Sequence, residues 1–395
     1  MPRMRRRRFV RGAVAAAAAW TLDRSAMARV VAQPAACAEP MAEGELLGLV
    51  PLTGDRPRQT PFGEAVGGPG LDTRVFTDLS QVGPERLITP TAEVFVRTAS
   101  PPQVSSRTGT WSLALEGGRA PARVSLDELR AASRPMGSHL IECAGNNNPD
   151  NFGLLSVAEW SGVPLEEVAQ RWGGPGTSYG VLVSGVDDES QQARTSQAGA
   201  SWVLSWTDIA ARRPFLATGM NDVPLPLDHG APIRLVVPGW YGCSWIKWVD
   251  ELRLATPDAA ATTQMREFAG RTHQDGVPEL ARDYLAPAID VAATPIRVER
   301  RRVNGLLTYR VVGIVWGGTK PVSDLLIRFD SRDAWKPVRV CPTPASPTTW
   351  SLWTHVWTPA GPGSYSISLK CADPSVRTRR LDMYFYTRRV RIDEI

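Results

Sequence analysis

Thiol and imidazole side chains are the groups of this sequence that could bind a soft metal ion. The chain of 395 residues holds five cysteines and four histidines. It contains no C-x-x-C pair, no haem-attachment motif and no helical histidine pair, which excludes a zinc ribbon, a thioredoxin-like site and an attached c-type haem. In an exported chain, an odd number of cysteines leaves at least one thiol unpaired and available for chemistry.

Cys143 is the cysteine whose surroundings best suit such chemistry. It follows an apolar run that begins at Leu140 and precedes an Ala-Gly-Asn turn that ends at Asn146. This pattern predicts a thiol at the lip of a sheet, where backbone amides can converge on a ligand. A thiolate suits a high-valent metal, although on spacing alone a buried structural cysteine is the commoner alternative.

A second group of candidates lies downstream, between Asn221 and Trp248. His229, Arg234 and Lys247 follow one another in a segment rich in Pro and Gly. Arginine offers forked donors to phosphate, and lysine offers a point charge. The segment therefore predicts a site for an anionic, oxygen-rich group, although solvated loop charges would have the same composition.

Together these motifs resemble the sulfite oxidase family of molybdopterin-dependent oxidoreductases. Leu140–Asn146 is similar to the family's cysteine motif, and Trp160–Leu165 to a second motif that ends in Val-Pro-Leu. Two long segments, Asn221–Gly239 and Tyr241–Trp248, follow in the family's order. The resemblance covers about residues 90–255 and resumes near the C-terminus. There, similarity to the family's dimerisation domain extends over Val315–Gly318, Ile327–Trp335 and Trp350–Trp353.

The resemblance implies a molybdenum-molybdopterin cofactor and a role for each candidate. Cys143 is expected to be the protein ligand of molybdenum, and Arg97 to face an anionic substrate. The residues implied to bind the molybdopterin are His229, Arg234, Ser244 and Lys247. Cys243 has no role in the family and is expected to pack.

Three departures from the family pattern reduce the positive charge expected near the substrate. Arg97 is followed at residues 98–99 by Thr-Ala, where the family commonly has Asn-His. Asn147 and Asn148 stand where sulfite oxidases usually carry an arginine, and Phe268 stands where a tyrosine is expected. Sulfite is a small dianion that should need several cations, so these departures leave the physiological substrate open.

The pattern of secondary structure changes along the chain. Residues 86–255 mix short strands with short helices, of which two begin at a capping box in Ser125–Glu128 and at Pro164. After about residue 290, strand-like runs recur between Gly and Pro turns, at Tyr309–Ile314, Leu325–Asp330, Trp350–Trp357 and Tyr365–Cys371. This predicts an α+β fold in which a mixed α/β molybdopterin-binding domain precedes an immunoglobulin-like β-sandwich.

The expected domains follow from these changes. They are a twin-arginine-type signal peptide at 1–38, an extended segment at 39–85, the catalytic molybdopterin-binding domain at 86–289 and the dimerisation domain at 290–395. The last domain implies a homodimer. It also contains Cys341 and Cys371, which an oxidising periplasm would allow to form a disulfide.

The leader predicts the location of the protein. Four arginines, Arg5 to Arg8, precede Phe9 and a short apolar run, and small residues suited to cleavage follow. Paired arginines before Phe-Val resemble the twin-arginine signal, which exports folded, cofactor-loaded enzymes to the periplasm. The alternative is a merely basic arm. No stretch of 18 or more apolar residues occurs, so no transmembrane segment is expected.

The net charge of +5 belongs to this leader. The first 38 residues hold eight arginines against one acidic residue, and the rest of the chain is close to neutral. A basic surface for nucleic acid is therefore not expected.

The predicted function is oxygen-atom transfer at a Cys143-ligated molybdenum, with oxidation of sulfite to sulfate as the default. A reductive variant, acting on a sulfoxide or another periplasmic oxide, stays open. A non-catalytic pterin-binding or assembly protein is the alternative of another class, but a scaffold would not need the thiol of Cys143. The expected partners are a small oxyanion or oxide and an external electron carrier such as a c-type cytochrome, because no haem motif is present.

Overall fold

The computed structural model describes residues 43–53, 73–98, 110–146, 152–172, 176–187, 199–341, 347–378 and 387–395. The expected signal peptide at residues 1–38 lies outside this part of the chain, as do Ala99, Asn147 and Asn148. None of the helices within the described residues is long and apolar enough to cross a membrane.

The described residues form short helices and many strands. The α-helices are α1 (Leu126–Ala132), α2 (Leu165–Trp172), α3 (Trp206–Arg212) and α4 (Thr263–Phe268). The strands are β1 (Glu45–Val50), β2 (Leu52–Thr53), β3 (Thr73–Val75), β4 (Val96–Thr98), β5 (Ser112–Glu116), β6 (Ala122–Ser125), β7 (Arg134–Glu142), β8 (Leu155–Pro164), β9 (Gly180–Gly185), β10 (Ser201–Ser205), β11 (Phe215–Met220), β12 (Val223–Pro224), β13 (Arg234–Val236), β14 (Val249–Ala255), β15 (Ala292–Val303), β16 (Leu306–Trp316), β17 (Leu325–Arg328), β18 (Lys336–Pro337), β19 (Arg339–Cys341), β20 (Ser351–Trp357), β21 (Gly363–Cys371) and β22 (Arg388–Ile392). Single 3-10 turns lie at Leu79–Gln81, Thr91–Glu93, Leu227–His229, Gly242–Ser244, Ala269–Arg271 and Ala281–Asp283.

Two of the helices begin with a capping box. In α1 the Ser125 hydroxyl accepts from the Glu128 N–H while the Glu128 carboxylate accepts from the Ser125 N–H. Ser205 and Asp208 form the same reciprocal pair at the start of α3. Such a box satisfies amides that have no partner within the helix. The predicted start of α1 is therefore confirmed.

Two five-stranded sheets form the first half of the fold. One has the order β10-β9-β14-β5-β6 and contains a parallel pair, β14 with β5. The other has the order β12-β11-β8-β7, and β13 also pairs with β11. Strand β7 ends at Glu142, so Cys143 directly follows a strand as the sequence predicted.

Two further five-stranded sheets, all antiparallel, form a β-sandwich. Their orders are β1-β15-β16-β20-β19 and β18-β17-β21-β22-β2. The edge strands β1 and β2 come from the segment 39–85, and they pair with β15 and β22 of the C-terminal part. The predicted fold class, a mixed α/β domain followed by a β-sandwich, is confirmed.

The predicted disulfide between Cys341 and Cys371 is wrong. Cys341 on β19 is disulfide-bonded, whereas Cys371 on β21 is a buried free thiol. The two strands belong to different sheets, and facing sheets lie about 10 Å apart, so only directly opposed cysteines can be bridged. Burial raises the pKa of Cys371 to about 11, which keeps this thiol protonated.

Candidate active site

One open cleft collects most of the candidate residues. It contains about 970 Å³ of empty space, adjoining solvent included. Of the candidates predicted from sequence, Cys143, Arg97, His229, Arg234 and Lys247 line this cleft. Ser244 is buried beside it, and its hydroxyl donates to the Tyr241 carbonyl at 2.9 Å. The structure therefore brings together five side chains from three separate parts of the sequence.

Backbone hydrogen bonds fix Cys143 at the end of β7. Its N–H donates to the Leu154 carbonyl at 2.9 Å, and its carbonyl accepts from the Asn146 N–H at 2.9 Å, which closes a tight turn. The Gly145 N–H lies 3.4 Å from the Cys143 Sγ. The thiol is free and only partly buried. A sulfur held in this way could ligate a metal, and an amide aimed at it would tune its donor strength.

A buried carboxylate stabilises the same turn through a hydrogen bond. Glu142 is fully buried, and its Oε1 accepts from the Asn146 side-chain amide at 3.3 Å. Its Oε2 accepts from Trp316 Nε1 at 2.9 Å. Because Trp316 lies on β16, the sandwich supports the cysteine turn directly. Sequence reasoning missed Glu142, although an acidic residue at the end of an apolar strand was the available signal.

Arg234 is enclosed with little compensation for its charge. Its Nη1 donates to the His229 carbonyl at 3.1 Å and its Nη2 to the Trp245 carbonyl at 3.3 Å. Its Nε is buried with no hydrogen-bond partner among the described residues. The guanidinium carbon lies 5.4 Å from the Trp160 ring centre and 5.7 Å from that of Trp245. Burial lowers the pKa of Arg234 to about 9.

Lys247 ties strand β4 to the loop before His229. Its ammonium donates to the Arg97 carbonyl at 3.2 Å, to Thr98 Oγ1 at 2.8 Å and to the Asp228 carbonyl at 2.5 Å. These bonds use every N–H of the ammonium, so Lys247 acts on a ligand through its charge. Burial, and next the charge of Arg234, lower the pKa of Lys247 to about 7.

His229 completes the cluster as a neutral group. Its side chain is buried, and burial, followed by the charges of Lys247 and Arg234, lowers its pKa to about 3. An uncharged imidazole at this place can still donate one hydrogen bond.

The cluster of His229, Arg234 and Lys247 fits an anionic cofactor. Within the described part of the chain, no carboxylate forms a salt bridge with Arg234 or Lys247. Buried cations ordinarily need a counter-charge. Arg234 Nε has no hydrogen-bond partner among the described residues, and burial lowers the pKa values of all three side chains, so the cluster has the chemistry of an anion-binding site. The phosphate of a molybdopterin would supply it.

Helix α4 closes another side of the cleft, which the sequence indicated only through Phe268. Gln264, Glu267 and Phe268 all line it, and the Gln264 side-chain amide donates to the Cys243 carbonyl. Cys243 is buried as expected. Its burial, and next the neighbouring Cys143, raise its pKa far above the usual range, so it stays a protonated thiol.

Comparison with known proteins shows which families and proteins this chain resembles. Residues 99–263 match the family described as oxidoreductase molybdopterin binding domain. Sulfite oxidase of Gallus gallus is 28% identical over 335 residues, covering 77% of this chain and 69% of that protein. The mitochondrial sulfite oxidase of Homo sapiens is 26% identical over 318 residues, covering 73% of this chain and 56% of that protein.

A solved structure extends the comparison to the whole fold. The crystal structure of the sulfane dehydrogenase SoxCD from Paracoccus pantotrophus superimposes with a TM-score of 0.62 and 19% identity, covering 83% of this chain and 85% of that chain. The matched domain and the sulfite oxidase relatives indicate an oxidoreductase whose cofactor is molybdenum-molybdopterin. The comparisons support a molybdopterin oxidoreductase similar to sulfite oxidases, with the molybdopterin-binding match over residues 99–263.

Proposed function

We propose that this protein oxidises sulfite to sulfate in the periplasm, at a molybdenum ion bound by Cys143. The observation that carries the proposal is the cleft itself. It holds the free thiol of Cys143, the side chain of Arg97 and a buried cationic cluster that forms no salt bridge with a carboxylate of the described residues. The similarity to sulfite oxidases supports sulfite as the substrate.

Each residue of the cleft has a distinct role in this proposal. The Cys143 sulfur ligates the metal, and Arg97 orients the substrate anion. Arg234 donates to the cofactor through its unused N–H groups, while Lys247 contributes charge and fixes Arg97 through its carbonyl. Ser244 supports the cofactor loop through its bond to the Tyr241 carbonyl. The cofactor, when bound, supplies the oxygen-atom transfer and the two-electron redox change.

The proposed reaction balances with water and an electron acceptor. A sulfur–oxygen bond forms between sulfite and the oxygen of one water, whose O–H bonds break. The products are sulfate, two protons and two electrons. We propose that the electrons leave to a separate carrier, such as a c-type cytochrome or a membrane subunit.

One observation favours the reductive alternative. Much of the cleft wall is apolar, with Val94, Phe95, Ile141 and Phe268 among its lining residues. Such a wall suits a neutral sulfoxide or a similar oxide. In that direction the sulfur–oxygen bond of the substrate breaks, and the oxygen leaves as water with two electrons from the carrier and two protons.

Turnover of the molybdenum-loaded protein on sulfite, sulfoxides, N-oxides and nitrate tests the proposal. We expect dye-coupled sulfite oxidation that Cys143→Ser abolishes, because a hydroxyl is a harder ligand than a thiolate. Cys371→Ser, which alters a buried free thiol of the sandwich, is the matched control and should keep the activity. Full activity of Cys143→Ser would overturn the metal assignment, and turnover of an oxide but not of sulfite would favour the reductive alternative.

We also propose export by the twin-arginine route and assembly as a homodimer through residues 290–395. The arginines before Phe9 and the resemblance of the sandwich to a dimerisation domain support these two points. Changing Arg6, Arg7 and Arg8 to lysine should retain the protein in the cytoplasm, and unchanged periplasmic yield would contradict the route. A monomer at micromolar concentration in light scattering would contradict the dimer.

A further inference from the structure

A guanidinium group approaches the cysteine turn from the 3-10 turn Ala269–Arg271, which follows α4. A Cβ atom added to Gly145 would lie 3.7 Å from Cys143 Sγ and 3.2 Å from Arg271 Nη1. A small group at that point would therefore touch the thiol and the guanidinium together. The missing side chain of Gly145 leaves room for this approach.

The charge of Arg271 is available to a ligand. Arg271 has an exposed side chain and forms no hydrogen bond or ion pair with any described residue. Its guanidinium carbon lies 5.6 Å from the centre of the Phe268 ring, and Phe268 lines the cleft. A cation–π contact of this kind orients the guanidinium and leaves its N–H groups free for another partner.

Among the described residues, no carboxylate forms a salt bridge with Arg271. Asp187 and Glu267 also line the cleft, but neither forms a salt bridge with it. Asp187 Oδ2 instead accepts from the N–H groups of Gly199 and Ala200, each at 2.9 Å.

We propose that Arg271 binds the substrate anion beside Cys143 and thereby selects small oxyanions over neutral oxides, an inference that rests on the proposed function. Sulfite oxidases usually carry an arginine at the position that Asn147 or Asn148 holds in this sequence. Arg271 supplies a guanidinium beside Cys143 and Gly145 from a different part of the chain. Its forked N–H groups match two oxygens of a pyramidal or tetrahedral oxyanion.

Calorimetric binding of sulfate, the proposed product, to the molybdenum-loaded protein tests this inference independently of turnover. Arg271→Gln should weaken sulfate binding by about ten- to a hundred-fold, the range for one charge-assisted hydrogen bond. Arg271→Lys should recover part of the affinity, because it restores the charge without the fork. Arg266→Gln, an equal charge change at an exposed position of α4, should leave binding unchanged. Molybdenum content should be the same in all variants.

A second variant, at Gly145, tests the approach of Arg271 to the cysteine turn. Gly145→Ala places a methyl group 3.2 Å from Arg271 Nη1, so the guanidinium must shift by a few tenths of an ångström, and sulfate binding should weaken while Arg271 is still present. Sulfate affinity that is unchanged in Arg271→Gln, or reduced equally in Arg266→Gln, would overturn the inference. So would a wild-type protein that does not bind sulfate. If sulfate binding depends on Arg271 but sulfite is not oxidised, the anion site stands and the proposed function fails.

Discussion

Within the described residues, one cluster of buried arginines in the sandwich and Arg234 in the cleft differ in how their charge is compensated. In the sandwich, Glu299 on β15 accepts from Arg297 Nε at 3.0 Å and from Arg301 Nη1 at 2.9 Å, and Arg310 lies 4.0 Å from the same carboxylate. In the cleft, Arg234 has carbonyls and aromatic rings as its partners and no carboxylate among the described residues.

We propose that this contrast separates charge that stabilises the fold from charge that serves a ligand. The sandwich cluster carries its counter-ion within the fold, and Arg301 also donates to the carbonyls of Glu43 and Gly44 at 2.8 and 2.7 Å. Such a cluster joins β15 to the N-terminal segment. A buried cation without a counter-ion costs free energy in the empty fold, so it is kept where a ligand supplies the anion.

Removing the carboxylate of the sandwich gives the largest expected effect. Glu299→Gln leaves three buried or half-buried arginines without their shared anion, and it should lower the free energy of unfolding by about 3–5 kcal/mol. Denaturant unfolding monitored by tryptophan fluorescence measures this. Glu394→Gln, which removes the exposed partner of Arg300, is the control and should change stability by at most about 1 kcal/mol. Equal stability of Glu299→Gln and wild type would show that the arginines of the sandwich do not depend on this carboxylate, which contradicts the contrast with the cleft.

Removing the cation of the cleft should not lower the free energy of unfolding of the cofactor-free protein. Arg234→Met takes away a buried charge that has no counter-ion, so the cofactor-free chain should be at least as stable as wild type. The cofactor should then be held about ten- to a hundred-fold less tightly, because a charge-assisted hydrogen bond is lost. Unfolding of protein from a pterin-deficient host gives the first quantity, and pterin released on dilution gives the second. Strong destabilisation of the empty chain would mean that Arg234 is structural.

A smaller effect should appear in the pH dependence of the empty chain. Lys247 has a native pKa of about 7, below its ordinary value of 10.5, because it is buried near Arg234. Between these two pH values the unfolded chain binds more protons than the native chain, so stability should rise with pH. The slope is at most about 1.4 kcal/mol per pH unit. Below about pH 7 this contribution no longer changes, because Lys247 is then protonated in both states.

Comparing wild type with Lys247→Met isolates this contribution, since the variant lacks the titrating group. The unfolding free energy of wild type minus that of Lys247→Met should rise as pH rises from 7 to 10 and should stay constant at lower pH. A difference that does not depend on pH would show that Lys247 keeps its ordinary pKa in the empty cleft.

The sequence predicted those elements whose signals are local. The capping box at Ser125 fixes α1, and Pro164 precedes α2, so both helix starts were predictable. The long strand β15 was not predicted, because its arginines interrupt the apolar run expected of a mostly buried strand. Only the structure shows that Arg301 is buried against Glu299.

The residues of the candidate site also divide into those with a local sequence signal and those that depend on tertiary contacts. Cys143 and the cofactor segment were predictable because their motifs are contiguous and resemble a family. Glu142 gave only a weak signal, since its partner Trp316 lies in the other half of the fold. Arg271 gave none, because its approach to Gly145 joins two segments that are distant in sequence. The disulfide was predicted wrongly, since composition does not show which cysteines lie opposite each other.

X-ray absorption at the molybdenum edge tests the central claim, that Cys143 is the protein ligand of the metal, most directly. Wild-type protein and Cys143→Ser, both purified with the cofactor bound, should differ by one sulfur in the first coordination shell of molybdenum. Cys371→Ser should give the wild-type spectrum. Identical sulfur coordination in wild type and Cys143→Ser would contradict the account.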